Sequence, residues 1–395
     1  MKERKKKTFS VNDKLRVRKS YYTFTREYPK YIEVEKTGRR ISVATIKKTA
    51  VYLAVFLVIA SVSFFSVKLA LNISYSPIVE EIVEVKENYF GEKIALEGVK
   101  ALYMPLENIS DEAYIKDFIK EVKKKNCNSV VIDFKTKDGK LCYSSMHENA
   151  IAGSCATHDN DTVRRAIDLF SSADIAVIAR LFCFSDNAVA TAKPELAVKY
   201  MGTEVNWLDG SDTNGGKAWL NPYSKNVRGY IAQLAGEISS FGVSVFILED
   251  LQYPGGNNSD SATYPGEKDT ASRNTMLKNT LSQVKKAVGE NSLVILSQTA
   301  TDASDGNESV YFGTMSDVAY YALAVDTAEK PSDVSVDKKT DYISVLSMYN
   351  SISGRFAGKI IIPVINFEEY SRSYLRAMKK NGFESYILYD ENGEY

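Results

Sequence analysis

The chain has 395 residues, 44% of them hydrophobic, with 9 Pro and 22 Gly, a globular composition that excludes collagen-like, mucin-like and wholly disordered chains. Its 50 Lys+Arg balance 50 Asp+Glu only in sum: residues 1–48 carry 16 basic and 5 acidic side chains, and residues 49–395 carry 34 and 45, so the chain is two pieces of opposite charge. The histidines, His147 and His158, are too few for a His-based metal centre and sit in a stretch rich in Ser, Asn, Gly and Asp, which argues against histidine-dependent catalysis.

Residues 1–48 interleave Lys and Arg with Tyr21, Tyr22, Phe24, Tyr28 and Tyr31. Such a tract could meet anionic lipid or nucleic acid, but KERKKK carries little information. A solvated cytoplasmic tail that enforces orientation is the simpler reading, and no nucleic-acid partner is expected. Residues 49–72 follow as a transmembrane signal anchor. Thr49 to Val67 holds 19 residues without a charge, bounded by Lys47, Lys48 and Lys68. As a helix it would span about 28 Å, close to the hydrocarbon thickness of a bilayer. A buried core helix fits poorly because the stretch is apolar all round. A cleaved signal peptide fits poorly because no A-x-A site follows. Arg39, Arg40, Lys47 and Lys48 flank one end, and after Lys68 no basic residue appears until Lys86. The N-terminus is therefore expected inside and everything after the span outside. Residues 73–97, with Glu80, Glu81, Glu84 and Glu87, read as an extracellular stalk.

From residue 98 to 395 apolar runs of strand length alternate with segments of helical period. Strands are expected at Val99–Met104, Ser129–Lys135, Ile175–Leu181, Ser244–Asp250, Leu293–Gln298, Asp317–Leu323, Lys359–Ile365 and Ser385–Tyr389. Helices are expected at Asp111–Lys125, Thr162–Phe170, Asn226–Ser240, Thr270–Val288 and Glu368–Lys380. Runs such as VVIDF and KIIIPVI are apolar on both faces, as in parallel strands covered by helices. The fold class is α/β, and the eightfold pattern fits a (β/α)8 TIM barrel preceded by a single transmembrane helix; a doubly wound open sheet is the alternative.

A barrel gathers its chemistry at the C-terminal strand ends, where the βα loops converge. The polar residues there are Asp133, Lys135, Arg180, Glu249, Asp250, Gln298, Asp326, Asn366, Glu368 and Asp390. Asp133 and Lys135 alternate with Phe134 and share a face, either lining the mouth or forming a salt-linked layer. Arg180 is placed to fork onto a carboxylate. Glu249 ends a run too apolar to leave it unpaired, so it is either a functional acid or half of an ion pair with Arg180 or Lys135. Trp207 and Trp219 could offer flat faces to a ligand or simply pack. Cys142 and Cys155, outside the membrane, bracket a loop that a disulfide could close, whereas Cys127 and Cys183 read as packing residues. No C-x-x-C pair, phosphate-binding glycine loop or nucleophile elbow occurs, and neither metal nor cofactor is expected.

Several segments resemble a family of exported bacterial proteins with a glycosyl hydrolase domain, domain of unknown function 4015: VKALYMP at Val99, SVVIDFKTKDGKLCYSS at Ser129, IAVIARLFCFSD at Ile175, KPELAVKYMG at Lys193, WLNPYSKNVRGYIAQLAGEI at Trp219, FILEDLQYP at Phe246 and SYILYDENGEY at Ser385. The resemblance implies an α-amylase-like barrel acting on a glycan, with an acid at the end of the fourth strand in a motif like FDYVRFP. This chain reads LEDLQYP there: Glu249 stands at the family's Asp, Asp250 replaces its Tyr and Gln252 its Arg. The fifth strand reads Ser297-Gln298-Thr299 where the family has S-x-D, and Tyr389 stands where it has Trp. Glycoside hydrolysis uses two carboxyl groups. Glu249, helped by Asp250, is the expected catalytic centre, with Asp133, Lys135, Arg180, Trp207, Trp219, Gln298, Asn366 and Asp390 as substrate contacts; Asp302, Asp326 and Glu368 are candidates for a second acid. The expected function is a membrane-anchored extracellular glycoside hydrolase acting on a cell-wall or environmental polysaccharide. The alternative is a catalytically degenerate barrel that binds wall glycan or a protein partner at the cell surface.

Overall fold

The computed structural model describes Tyr52, residues 89–255, 259–269, 272–299, 319–324, 356–366, Arg376, 379–380 and 382–395. The chain divides into two units, residues 1–81 and 82–395, and the fold below is that of the second. Among the described residues no helix is long and apolar enough to cross a membrane. The tail at 1–48 lies outside them, as does the span expected at 49–72 apart from Tyr52.

The strands are β1 (Lys100–Met104), β2 (Ser129–Lys135), β3 (Ala176–Phe182), β4 (Lys199–Tyr200), β5 (Val245–Glu249), β6 (Ala262–Thr263), β7 (Leu293–Thr299), β8 (Tyr320–Ala324), β9 (Ile360–Asn366) and β10 (Tyr386–Tyr389). Eight of them close a parallel barrel in the order β1-β10-β9-β8-β7-β5-β3-β2, while β4 and β6 pair antiparallel outside it. Every strand expected from hydrophobic runs is present, and closure excludes the open doubly wound sheet. Buried side chains separate by strand parity. Ala101, Val131, Ile178, Ile247, Ile295 and Ile387 fill the barrel, and their neighbours Leu102, Ile132, Ala179, Leu248, Leu296 and Leu388 join the larger core outside it. Two cores on opposite faces of one sheet explain why the strands read apolar at every position.

The helices follow the apolar period. Glu112–Lys124 buries Ile115, Phe118 and Val122, starts at Asp111, whose carboxylate accepts the N–H of Ala113 and Tyr114, and carries Lys123 and Lys124 in its last turn, where a cation meets the helix dipole favourably. Asn160–Ser172 and Lys225–Ser239 begin likewise at Asp159 and Ser224. The helix expected at Glu368–Lys380 lies outside the described residues except at Arg376 and 379–380.

The stalk expected at 73–97 is corrected at its C-terminal end. Tyr89–Glu97 is a helix, and Ile94, wholly buried, packs with Val99 and Ala101 while Phe90 rests against the same cluster. Phe90 and Ile94 are four residues apart and so share one helical face, which closes the N-terminal end of the barrel.

Candidate functional site

Parity along the strands decides which polar side chains face the barrel interior. On β1 the alternation through Val99 and Ala101 carries Tyr103 inward; on β2 Val131 precedes Asp133, on β3 Ile178 precedes Arg180, on β5 Ile247 precedes Glu249, and on β10 Ile387 precedes Tyr389. Beneath the C-terminal rim lies a cavity of about 150 Å³ lined by Tyr103, Arg180, Ile247, Glu249, Val364 and Tyr389 among others.

Arg180 organises the interior. Its Nε and Nη2 donate to the two oxygens of Asp133, the latter at 3.0 Å, and Tyr103 donates its hydroxyl to Asp133 Oδ2 at 3.1 Å. The remaining nitrogen, Nη1, lies 3.9 Å from Glu249 Oε1. The guanidinium carbon stands 4.9 Å from the ring centre of Tyr103, 5.3 Å from that of Phe182 and 5.5 Å from that of Tyr389. Burial alone disfavours a charged guanidinium, but the Asp133 fork outweighs it and raises the pKa of Arg180 further.

Glu249 is in a different state. Burial pushes its carboxyl up to about 7; Asp250 and Asp133 push the same way, against Arg180 and a hydrogen bond from Ser297. One guanidinium thus faces two carboxylates and grips one. Asp250 leaves the strand with φ 47°, a left-handed conformation costly for a residue with a Cβ. Its Oδ2 accepts the Ser185 hydroxyl at 2.5 Å, and burial raises its pKa.

The expected site residues divide sharply. Arg180 and Glu249 line the cavity, and Asp133 stands behind it on the guanidinium of Arg180. Asp250, expected as the catalytic helper, is turned to Ser185 and away from it. Lys135 is not a substrate contact: a register shift between Asp133 and Lys135 takes it off the inward face. It is 1% exposed, pairs with Asp186 at 3.0 Å and donates to the carbonyls of Phe182 and Ser185. Trp207 is fully buried, and Trp219, 4% exposed, donates its indole N–H to Asp209, so both are packing residues. Gln298 shares the outer parity of Leu296 and points away from the interior. Asp390 is a turn residue whose Oδ1 accepts the N–H of Asn392 and Glu394. Asn366 ends β9 in register with Tyr389, and its side chain lies outside the described residues, as do Asp302, Asp326 and Glu368.

The expected Cys142–Cys155 bridge is absent; all four cysteines are free and buried. Leu141 pairs with Ala156 in a parallel bridge, which places Cys142 after the pair and Cys155 before it. That diagonal offset separates residues by roughly 7–8 Å, beyond the reach of a disulfide. Their surroundings differ too, since Cys142 lies near Asp133 and Cys155 near Asp186 and Lys135.

Sequence reasoning missed Tyr103 as a site residue, although counting inward positions from Val99 would have found it. Ser185 and Asp186, which hold Asp250 and Lys135, had no such signal because they lie in a loop without a period. Among the described residues no group of three or more His, Cys, Asp or Glu side chains is arranged to hold a metal ion.

Among solved structures, a hypothetical protein from Ruminiclostridium thermocellum is 23% identical, covering 49% of this chain and 95% of its own, with a TM-score of 0.42. The α-galactosidase TtGalA from Thermus thermophilus is 10% identical over 77% of this chain and 61% of its own, with a TM-score of 0.47. The glycoside hydrolase domain of PelA from Pseudomonas aeruginosa is 9% identical over 75% and 96%, with a TM-score of 0.43. No substrate is carried over from similarities at this level. A search of curated proteins returned no match. Residues 101–300 match the family described as "Putative glycosyl hydrolase domain", domain of unknown function 4015, and these residues contain β1 through β7 with Asp133, Arg180 and Glu249. This match spans half of the chain, which belongs to that glycosyl hydrolase domain family.

Proposed function

We propose that the chain is a membrane-tethered glycoside hydrolase whose barrel faces the outside of the cell, acts on a polysaccharide of the wall or surroundings, and uses Glu249 as its proton donor. The observation that carries this reading is the state of Glu249. It ends β5 at the cavity, and its carboxyl titrates at about 7, so it holds a proton to give near neutral pH. Family membership supplies the reaction class. Tyr103 and Tyr389, with ring centres 4.7 Å apart, give the cavity an aromatic wall of the kind that packs against a sugar ring. Once Glu249 has donated its proton, Nη1 of Arg180 is the nearby cation that steadies the carboxylate. The uncharged stretch at Thr49–Val67 and the basic residues before it support the tether and its orientation.

One observation favours a second reading. Among the described residues Glu249 is the one carboxylate that lines the cavity, and the nearby Asp133 is already held by Arg180 and Tyr103, whereas hydrolysis uses two. A barrel without a second acid would bind glycan and not cleave it. Glycan release and glycan binding by wild type and Glu249→Gln separate the two. As a proton donor, Glu249 replaced by Gln should lower release by at least about 10²-fold with binding retained. Binding without release by wild type, across a panel of wall polysaccharides, would establish the second reading.

A further inference from the structure

We propose that Asp133 is a positioning residue: by occupying Nε and Nη2 of Arg180 it leaves Glu249 only Nη1, and so keeps the Glu249 carboxyl from becoming the partner of that cation. The inference rests on the reading of Glu249 as proton donor and supplies the device that keeps it protonated. The geometry is asymmetric. Asp133 receives two arms of the guanidinium and the hydroxyl of Tyr103, whereas Glu249 receives one arm at 3.9 Å. Arg180 is also confined by the rings of Tyr103, Phe182 and Tyr389, so it cannot swing to Glu249 while the fork holds. A fork–fork pair is planar and directional, and a cation committed to it contributes less to a third group.

The other groups around Glu249 do not substitute for this control. Ser297 on β7 offers one neutral hydrogen bond, Asp250 adds a like charge from the same strand, and Tyr103 and Tyr389 carry phenols, that of Tyr103 raised by burial and Asp133 beyond any range in which it would ionise beside Glu249. Burial raises the Glu249 carboxyl, and the Asp133–Arg180 fork is what keeps the cation from reversing that. Without it, Arg180 would turn to the nearest carboxylate, and the barrel would hold a second tight ion pair in place of an acid.

Asp133 also acts on Glu249 as a plain like charge, so the test is a double-mutant cycle. The full-length protein is followed by infrared difference spectroscopy of the protonated carboxyl band, assigned by its loss in Glu249→Gln. Asp133→Asn should lower the Glu249 midpoint by at least about one pH unit, a tenfold loss of proton affinity. In the Arg180→Gln background the same substitution should lower it clearly less, because no cation is released. Equal shifts in the two backgrounds would reduce Asp133 to a through-space charge and overturn the proposal. A second readout covers folding. With Arg180 handed to Glu249, Asp133→Asn should be folded at pH 8, and the stability that wild type loses as the pH rises toward 7 should be lost over a narrower range that ends at the new, lower midpoint. An Asp133→Asn protein that is unfolded at pH 8 while Asp133→Asn/Arg180→Gln folds would show that Glu249 does not take the cation, and would overturn the proposal as well. Neither readout needs turnover, so a protein that releases no glycan still tests the fork.

Discussion

At the scale of single residues, Glu249 couples function to stability. Its carboxyl titrates at about 7 in the fold, against about 4.3 for an unfolded glutamate, so the folded state binds the extra proton between those values. Stability associated with this group is complete below about pH 4.3 and is lost as the pH rises through 7. Glu249→Gln removes the titration. The variant should gain on wild type from pH 5 to pH 8, approaching about 3 kcal/mol at 1.36 kcal/mol per pH unit, as read by urea unfolding at each pH. A variant less stable than wild type at every pH would make Glu249 half of a structural ion pair. The cysteines give a second expectation at this scale. Burial raises all four thiols, those of Cys127 and Cys155 to about 11, so they should resist a thiol reagent in the folded protein and all react in denaturant. A linked Cys142–Cys155 peptide in the unreduced protein would contradict the free thiols.

At the scale of elements, the end of β2 shows how one register shift redistributes roles. Asp133 keeps the inward parity of Val131, and the irregularity after it sends Lys135 behind the β3 end, where it meets Asp186, itself the cap of the helix Asn187–Ala192. Both side chains are essentially unexposed, and removing one partner of a buried pair leaves the other charge uncompensated. Lys135→Met should cost roughly 3–5 kcal/mol in denaturant unfolding. Adding Asp186→Asn, which retains the capping oxygen for the Val189 N–H, should recover most of the loss. If the double variant were as unstable as the single, the pair would not be the source of the cost. The same shift explains why Asp133 and Lys135, two residues apart and nominally on one face, end in different environments.

At the scale of the whole molecule, the proposed tether makes a topological prediction: protease added to intact spheroplasts should digest residues 98–395, and protection of that region would remove the exported reading. The alternating order of strands and helices was legible in the sequence, and closure of the sheet was not. Eight apolar runs separated by helical periods require a parallel sheet covered on its outer face, and Val99–Met104, Ser129–Lys135 and Lys359–Ile365 lie within one residue of the strands at each end. The place of Glu249 at the end of β5 was legible for the same reason, because it closes an apolar run of strand length. What the sequence left open were choices between partners distant in the chain. Arg180 and Lys135 were both offered to Glu249, and only the closed sheet assigns Arg180 to Asp133, Lys135 to Asp186, and a single long contact to Glu249. Trp207 and Trp219 looked equally able to face a sugar or a core, since an indole buries well in either. Local composition and period determined the strands, the helices and the order in which they come. Closure of the sheet decided the site, because parity and register set which side chains from distant segments share the interior, and a one-residue shift reverses the answer.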